Sequence, residues 1–596
     1  MGIDGALRVP GWPLGDWSRT LCPVKGLTKR WQTPPAAPAE GNLRHRILSA
    51  RGLIQKEEIQ AFLGPDLKAV TESAPLAGMD QAADVILATL EAKQPLVIYG
   101  DYDVDGITAT AILWHVFHGI DPEASVSSYV PHRLEEGYGL NAEAVRALAD
   151  EGAATIVTVD CGVTALEEAA LARELGVQMI ITDHHRVRDD GQLPDAAAIV
   201  HPSLPGQEHD FVDLAGAGVA WKLALHVARR SCGRDEVTPK LRQILMNGLS
   251  LAAMGTIADV VPLRGENRAI AYFGLRHMAN CDNVGLKALL AASGSRSAND
   301  AEVVGFRLGP RLNASGRMGH AASAIELFTT ADAARSRELA SELSKLNTSR
   351  QEVERGILEQ AREAAKASGM TEPGSHAIVL RHPDWHPGVV GIVCSRLVEE
   401  FGRPTILMQD DGEVCRGSGR SIAGYSMHEA LWHCEDHLLT FGGHDFAAGM
   451  KLSSSQFDQF AEAMVAHATA NIPAENLMPQ LNIDAEATRP EINMTMVKSL
   501  ADLKPFGRSN PAPRVLLRDM KIVSAKPFGK QNNHLRLQLE SPERGGTYLN
   551  AIWWGKASLG KSATNRRVDV VGKPEIDDYR KTEHLVIEDM AWLEVQ

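Results

Sequence analysis

The stretch Val97-Ile-Tyr-Gly-Asp-Tyr-Asp-Val-Asp-Gly-Ile-Thr108 constrains the chain more than any other. Its first half is a short apolar run suited to a strand buried on both faces. Its second half sets carboxylates at alternate positions, Asp101, Asp103 and Asp105, ahead of a glycine. Alternate side chains of an extended chain share a face, so these carboxylates crowd one strand end and repel each other unless a cation neutralises them. A metal site is the physical reading; a solvated acidic turn is the competing one, since Asp and Gly are ordinary turn residues.

The neighbouring sequence bears on that choice. From Pro95 the pattern predicts strands at Leu96–Gly100, Ser125–Val130, Thr155–Val159, Val177–Thr182 and Ala197–Val200, with helices near Ile107–Phe117, Ala142–Asp150 and Ala165–Leu175. Such alternation predicts a doubly wound, mainly parallel α/β sheet, in which ligands bind at the carboxyl ends of the strands. Thr155-Ile-Val-Thr-Val-Asp160-Cys-Gly is a second apolar run ended by a carboxylate and a glycine. Met179-Ile-Ile-Thr-Asp183-His184-His185 adds imidazoles, and Met254-Gly-Thr-Ile-Ala-Asp259 brings one more carboxylate within apolar sequence. Singly, each is as well explained by a helix N-cap or a satisfied core histidine. Together they offer ligands for two divalent ions, Mn²⁺ or Mg²⁺, with the imidazoles favouring Mn²⁺.

At 596 residues the chain has room for several domains, and its 44% hydrophobic and 23% charged residues are those of a soluble globular protein. No apolar run is long enough to span a bilayer, and Met-Gly-Ile-Asp-Gly-Ala-Leu-Arg-Val-Pro lacks the layout of a secretory signal, so a cytoplasmic location is expected. Seven scattered cysteines without a CxxC pair read as reduced thiols. The net charge of −14 argues against a blanket of positive charge for nucleic acid, but not against a local basic groove.

Elsewhere the texture changes three times. Residues 1 to 85 are punctuated by Pro and Gly, with a short helical patch at Ile54–Leu63, and suggest no chemistry. From about 331 to 368, Leu339, Leu343, Leu346, Val353, Ile357 and Ala361 recur at helical steps, predicting a long connecting helix with a packing stripe. Arg416-Gly-Ser418-Gly-Arg420-Ser421 combines guanidinium forks, a hydroxyl and glycines suited to close approach of an anion, with a surface loop as the alternative. Gly442-Gly443-His444 reads as a tight turn. Beyond Asn482, strand-like runs at Arg514–Leu517, Lys521–Ala525, His534–Leu539, Thr547–Trp554, Val568–Gly572 and His584–Ile587 suggest a small barrel. Lys521, Lys526, Lys530, His534 and Arg536 could supply positive charge there, and Phe528, Trp553 and Trp554 stacking planes; at most one of the adjacent tryptophans can serve the core.

Asp183-His184-His185, with Asp-Tyr-Asp-Val-Asp-Gly, Val-Asp160-Cys-Gly and Gly-Thr-Ile-Ala-Asp259, resembles the DHH phosphoesterase superfamily. The full-length pattern is similar to its RecJ branch of bacterial single-strand-specific 5′→3′ exonucleases. Gly309-Pro-Arg-Leu-Asn-Ala-Ser-Gly-Arg-Met-Gly319, the run from Trp385 to Arg396, Arg416–Ser421 and Phe441-Gly-Gly-His-Asp-Phe-Ala-Ala-Gly449 resemble that branch's later motifs. The first 50 residues or so carry no such resemblance. One departure is Tyr99, where several superfamily members have a histidine, leaving the first ion to lean on Asp101 or water.

The resemblance implies an N-terminal segment (1–85), a DHH catalytic domain (86–330), a connecting helix (331–370), a second α/β DHH-associated domain (371–478) and an OB-fold β-barrel (479–596). The expected activity is release of 5′-mononucleotides from single-stranded DNA in repair and recombination. Asp160 would bridge two ions, Asp103 with Asp101 would hold the first, and Asp105, His184 and Asp259 the second. His185 would contact the phosphate. Ser418, Arg420 and Arg133 would form a 5′-phosphate pocket in a cleft too narrow for duplexes, with Arg311, Asn313, Arg317, His386 and His444 as further substrate contacts. A monomer is expected, with a single-strand-binding protein and a helicase as candidate partners. Alternatives are a small-nucleotide phosphodiesterase, a pyrophosphatase or polyphosphatase, and a scaffold that has lost its ligands; retention of the Asp and His residues argues against the last.

Overall fold

The computed structural model describes residues 24–593 apart from 34–40, 133–135, 138, 206, 208, 296–297, 320, 543–546 and 578–579. The chain forms two compact units, one comprising Gly64–Glu352 with Pro505–Pro511, the other the residues up to Leu63 with Val353–Lys504 and those from Ala512 on. Among the described residues no helix is long and apolar enough to cross a membrane.

In the first unit β1 (Leu96–Gly100), α1 (Val104–Ile120), β2 (Val126–Tyr129), α2 (Ala142–Asp150), β3 (Thr155–Val159), α3 (Leu166–Glu174), β4 (Gln178–Thr182) and β5 (Ala198–Val200) build a five-stranded parallel sheet in the order β2-β1-β3-β4-β5. Alternation divides the strands between two cores. Ile98, Val157 and Ile180 face α1 and the helices α4 (Gly216–Cys232) and α5 (Pro239–Ala258). Val97, Ile156, Met179 and Ile181 face α2 and α3. Burial on both faces is what the continuous apolar runs require. Gly100, Val159, Thr182 and Val200 are register partners across the sheet, so Asp101, Asp160, Asp183 and His201 leave it side by side. After a five-residue π-helix (Val304–Leu308) come α6 (Gly309–Met318) and the 35-residue α7 (Ala333–Ala367), with Leu339, Leu343, Ile357 and Ala361 buried.

In the second unit β6 (Ile378–His382), α8 (Pro387–Phe401), β7 (Thr405–Asp410), β8 (Val414–Arg420), α9 (Met427–His433), β9 (Thr440–His444) and β10 (Ala447–Ser453) form a sheet ordered β9-β10-β8-β7-β6, with only β6 and β7 parallel. Two expectations are corrected here. Arg416–Arg420 is neither a loop nor a glycine cradle but part of β8 inside the sheet, where Arg416, Ser418 and Arg420 share one face. The intervening glycines admit Met408 and Met427, since a Cβ on Gly417 would lie 2.5 Å from Met408 Cγ and one on Gly419 3.0 Å from Met427 Sδ. Likewise Gly442–His444 belongs to β9, and the turn follows it.

The last strands, β11 (Val515–Phe528), β12 (His534–Glu540), β13 (Tyr548–Trp553), β14 (Arg567–Ile576) and β15 (Glu583–Trp592), close a barrel through pairing of β14 with β11. The two strands expected at 514–517 and 521–525 are one 14-residue strand. Register shifts between Leu517 and Met520 and between Ile522 and Ser524 bend it so that it pairs with both neighbours. Trp553 is buried and Trp554 is 53% exposed. Arg30–Gln32 pairs parallel to Gln480–Asn482, and Asp589 accepts hydrogen bonds from Thr28 N–H, Lys29 N–H and the buried indole N–H of Trp31. The six described cysteines are free thiols.

Candidate metal centre

Each carboxylate is delivered by the end of an element. Asp103 caps α1, its Oδ1 accepting the amides of Asp105 (2.8 Å) and Gly106 (3.2 Å), while Asn313 Oδ1 accepts from Val104 N–H. Asp105, in the first turn of α1, accepts from Gly216 N–H (2.6 Å) and Ala217 N–H (3.0 Å), so the N-termini of α1 and α4 converge on one anion. Asp160 ends β3 at φ 63°, a left-handed conformation that Asp tolerates better than most residues. Asp259 ends α5, and Val260 breaks the helix at φ 61°. Arg508, from Pro505–Pro511, accepts from Leu263 N–H and donates to Val260 O. Small residues make room: a Cβ on Gly216 would lie 2.6 Å from Asp160 Oδ1, and one on Gly255 2.3 Å from Asp105 Oδ1.

Ligand-capable atoms gather within 4.8 Å of one another in three groups: Asp101, Asp103 and Asp160; Asp105, His184 and Asp259; and Asp160, His184 and His185. His184 Nε2 is buried and makes no hydrogen bond, with Asp160 Oδ1 at 3.1 Å, Asp259 Oδ2 at 3.7 Å and Asp105 Oδ2 at 3.9 Å. Burial lowers this imidazole to about 3, keeping its lone pair available. Without a cation the carboxylates strain against one another. Burial and the charge of Asp103 raise Asp105 to about 7; burial with Asp105 and Asp103 raises Asp259 to about 8; the same causes push Asp160 well above the usual carboxylate range. A neutral imidazole among crowded oxygen donors fits divalent cations.

Asp183 does not join these groups. Its carboxylate accepts from the amides of His184 (2.7 Å), His185 (3.1 Å) and Val163 (2.9 Å), and from His185 Nδ1–H (2.8 Å). Burial pushes it up, but these bonds and the charge of His185 hold it below the usual range. Burial opposes the charge on His185, yet Asp183 and the other carboxylates win and raise it to about 9. His201 Nε2–H donates to His185 O. Tyr99 packs against Tyr129 and donates to Gly139 O, on the α2 and α3 side of the sheet.

The remaining expected residues are distributed as follows. Arg311 donates to Ser344 Oγ and Arg307 O, and Arg317 lies in the last turn of α6. His386 caps α8, accepting from Gly388 N–H. Ser418 and Arg420 converge over Gly391 of that helix, where a Cβ would meet Arg420 Nη2 at 3.1 Å and Ser418 Oγ at 3.3 Å. His444 ends β9, exposed. Arg133 lies outside the described residues. Sequence reasoning did not assign the orienting role of Asp183, nor the parts played by His201, the Gly216 and Ala217 amides and Arg508.

Strands aligned at their carboxyl ends and an Asp-His-His turn define a protein of the DHH class, and the model of the DHH family N-terminal domain matches residues 95–249. The DHHA1 domain matches 374–469 and the RecJ OB domain 483–589. The single-stranded-DNA-specific exonuclease RecJ of Bacillus subtilis is 36% identical over 96% of this chain and 70% of its own length. That of Salmonella typhimurium is 34% identical over 92% and 96%. The crystal structure of RecJ with Mn²⁺ from Thermus thermophilus superposes with a TM-score of 0.79 at 31% identity, covering 95% of this chain and 80% of that one. The chain belongs to the RecJ family.

Proposed function

We propose that this chain is a metal-dependent exonuclease that degrades single-stranded DNA from a 5′ end, releasing 5′-mononucleotides in repair and recombination. The observation that carries the reading is the pair of donor sets, Asp101, Asp103 and Asp160 beside Asp105, His184 and Asp259, at the carboxyl edge of the sheet. Each set would hold one divalent ion, Mn²⁺ or Mg²⁺, with Asp160 shared. Such ions supply Lewis-acid chemistry, an acidified water for in-line attack and positive charge at the phosphate. Asp183 orients His185, and the charge and ring N–H of His185 stabilise the phosphate as negative charge builds.

In the second unit Ser418 and Arg420, converging over Gly391 of α8, would bind the terminal 5′-phosphate, with His386 and His444 as strand contacts; in the first, Arg133, Arg311, Asn313 and Arg317 would serve the substrate's phosphates. The barrel offers the downstream nucleotides a cluster in which Phe528, His534 and Trp554 lie 4.7–5.6 Å apart, centroid to centroid, with Arg536 over Phe528. The working division is the segment 1–85, catalytic domain 86–330, connecting helix 331–370, DHH-associated domain 371–478 and barrel 479–596. The enzyme would act as a cytoplasmic monomer, with a single-strand-binding protein and a helicase as partners.

Digestion of end-labelled single-stranded, duplex and dinucleotide substrates with Mn²⁺, Mg²⁺ or chelator tests this. Single strands should be shortened from the 5′ end only with metal, and a 5′-hydroxyl end should react roughly 10- to 100-fold more slowly, a difference that Arg420→Ala erases. Dinucleotides cleaved in preference to long strands would replace this reading with a small-nucleotide phosphodiesterase.

A further inference from the structure

Phe306 is the most exposed large apolar side chain among the described residues, 78% accessible. It sits on the π-helix Val304–Leu308, whose end residues are buried while Gly305, Phe306 and Arg307 all face solvent. Single π-turns concentrate at functional sites, because the widened turn re-aims side chains at the expense of regular packing. The location supports that here. Gly309 follows directly, and a Cβ on it would lie 3.7 Å from Ala258 Cβ and 3.8 Å from Val104 Cγ2. Ala258 precedes Asp259, and Val104 stands between Asp103 and Asp105, so Phe306 is rooted three residues from a contact with both carboxylate-bearing turns. On the far side of Asp259, Val260 is 56% exposed at φ 61°, a conformation β-branched residues adopt only when their surroundings impose it. Arg307, the next residue, is exposed as well, and Arg311 reaches back to donate to Arg307 O at 2.5 Å.

We propose that Phe306 is a stacking plane for a nucleobase beside the metal centre, with Val260 as an apolar flank and Arg307 and Arg311 serving the adjoining phosphates. This rests on the exonuclease reading and adds a specificity-determining residue to it. A bare ring next to guanidinium charge binds any unstacked base, since every base has a π-face. A base in a duplex is already stacked and paired, so the ring favours a strand that is single at the point of cleavage.

The test uses the full-length protein, Phe306→Ala and Phe306→Trp, with 5′-phosphorylated oligonucleotides carrying one abasic residue at each of the first three positions in turn. In the parent, one of these positions should raise KM roughly 5- to 100-fold, the range of a lost base–aromatic stack. Phe306→Ala should show that increase on the intact strand and no further penalty at that position, and Phe306→Trp should recover the parental pattern. Equal abasic penalties in parent and Phe306→Ala, or an unchanged KM for Phe306→Ala on the intact strand, would overturn the assignment. A parent that leaves intact single strands undegraded would overturn the exonuclease reading instead.

Discussion

Asp160 stands where the carboxylate and imidazole groups meet. It is buried, left-handed, grouped with Asp101 and Asp103 and 3.1 Å from His184 Nε2, so Asp160→Asn preserves shape and tolerates φ 63° while deleting the charge. Turnover should fall by about 10⁴-fold. The metal-free variant should nevertheless melt above the metal-free parent, because one of the repelling buried charges is gone; calorimetry in chelator checks this. The same crowding sets a pH dependence. Asp105 and Asp259 titrate at about 7 and 8 when folded, above their ordinary values, so the folded protein binds more protons than the unfolded one. Their contribution to metal-free stability is full at pH values below the ordinary carboxylate range and is lost as pH rises through 7 and 8. Thermal stability in chelator should therefore decline from pH 5 to pH 9, and Mn²⁺ binding at pH 7 should release protons, read as a dependence of the calorimetric heat on buffer ionisation; a flat stability profile and proton-neutral binding would contradict the ligand set. Asp101, Asp103, Asp105, Asp160, His184 and Asp259 were legible as a group because caps and core histidines explain each one singly but not their recurrence at the ends of several apolar runs. The role of Asp183 was not, since only the folded turn shows which member of Asp-His-His looks inward.

Helices meet the metal centre through missing side chains, and α5 contains its own control. Gly255→Ala places a methyl group 2.3 Å from Asp105 Oδ1, whereas a Cβ on Gly248, two turns earlier, finds ordinary contacts at 3.5–3.7 Å with Trp221 and Ile112. Gly255→Ala should abolish metal binding and activity, while Gly248→Ala should keep both and gain roughly 0.5–1 kcal/mol from helix propensity; urea unfolding and metal titration separate the two. The parallel sheet, its order of elements and α7 could be read from periodicity, because a strand buried on both faces and a long amphipathic helix each leave a strong pattern. Arg416–Arg420 misled because glycine is depleted in strands, and its packing against Met408 and Met427 is visible only in three dimensions. The continuous β11 was hidden for a related reason: its bulges place turn-like residues such as Asp519, at φ 56°, inside one strand.

Across the molecule, sequence order and compact unit do not coincide. The segment around Trp31, which suggested no chemistry, is a strand bound to the barrel through Asp589 and to Gln480–Asn482 by pairing. Trp31→Ala should cost about 3–5 kcal/mol in the unit that contains the barrel while leaving Mn²⁺ affinity at the Asp160 site unchanged, as calorimetry and metal titration would show. The barrel's role is tested by Trp554→Ala, a change at an exposed ring that leaves the Trp31 strand its partners and should weaken binding of long single strands. Pro505–Pro511 crosses the other way: Arg508, bonded to Val260 across 248 residues of sequence, steadies the turn that follows Asp259. A ribosome emits the chain from its N-terminus, and domains generally fold as they emerge. The sheet and most of its ligands can assemble early, but the turn after Asp259 waits for a segment made more than 240 residues later. A nascent chain stalled before Pro505 thus holds most of the donors while Val260 still lacks the Arg508 that steadies it.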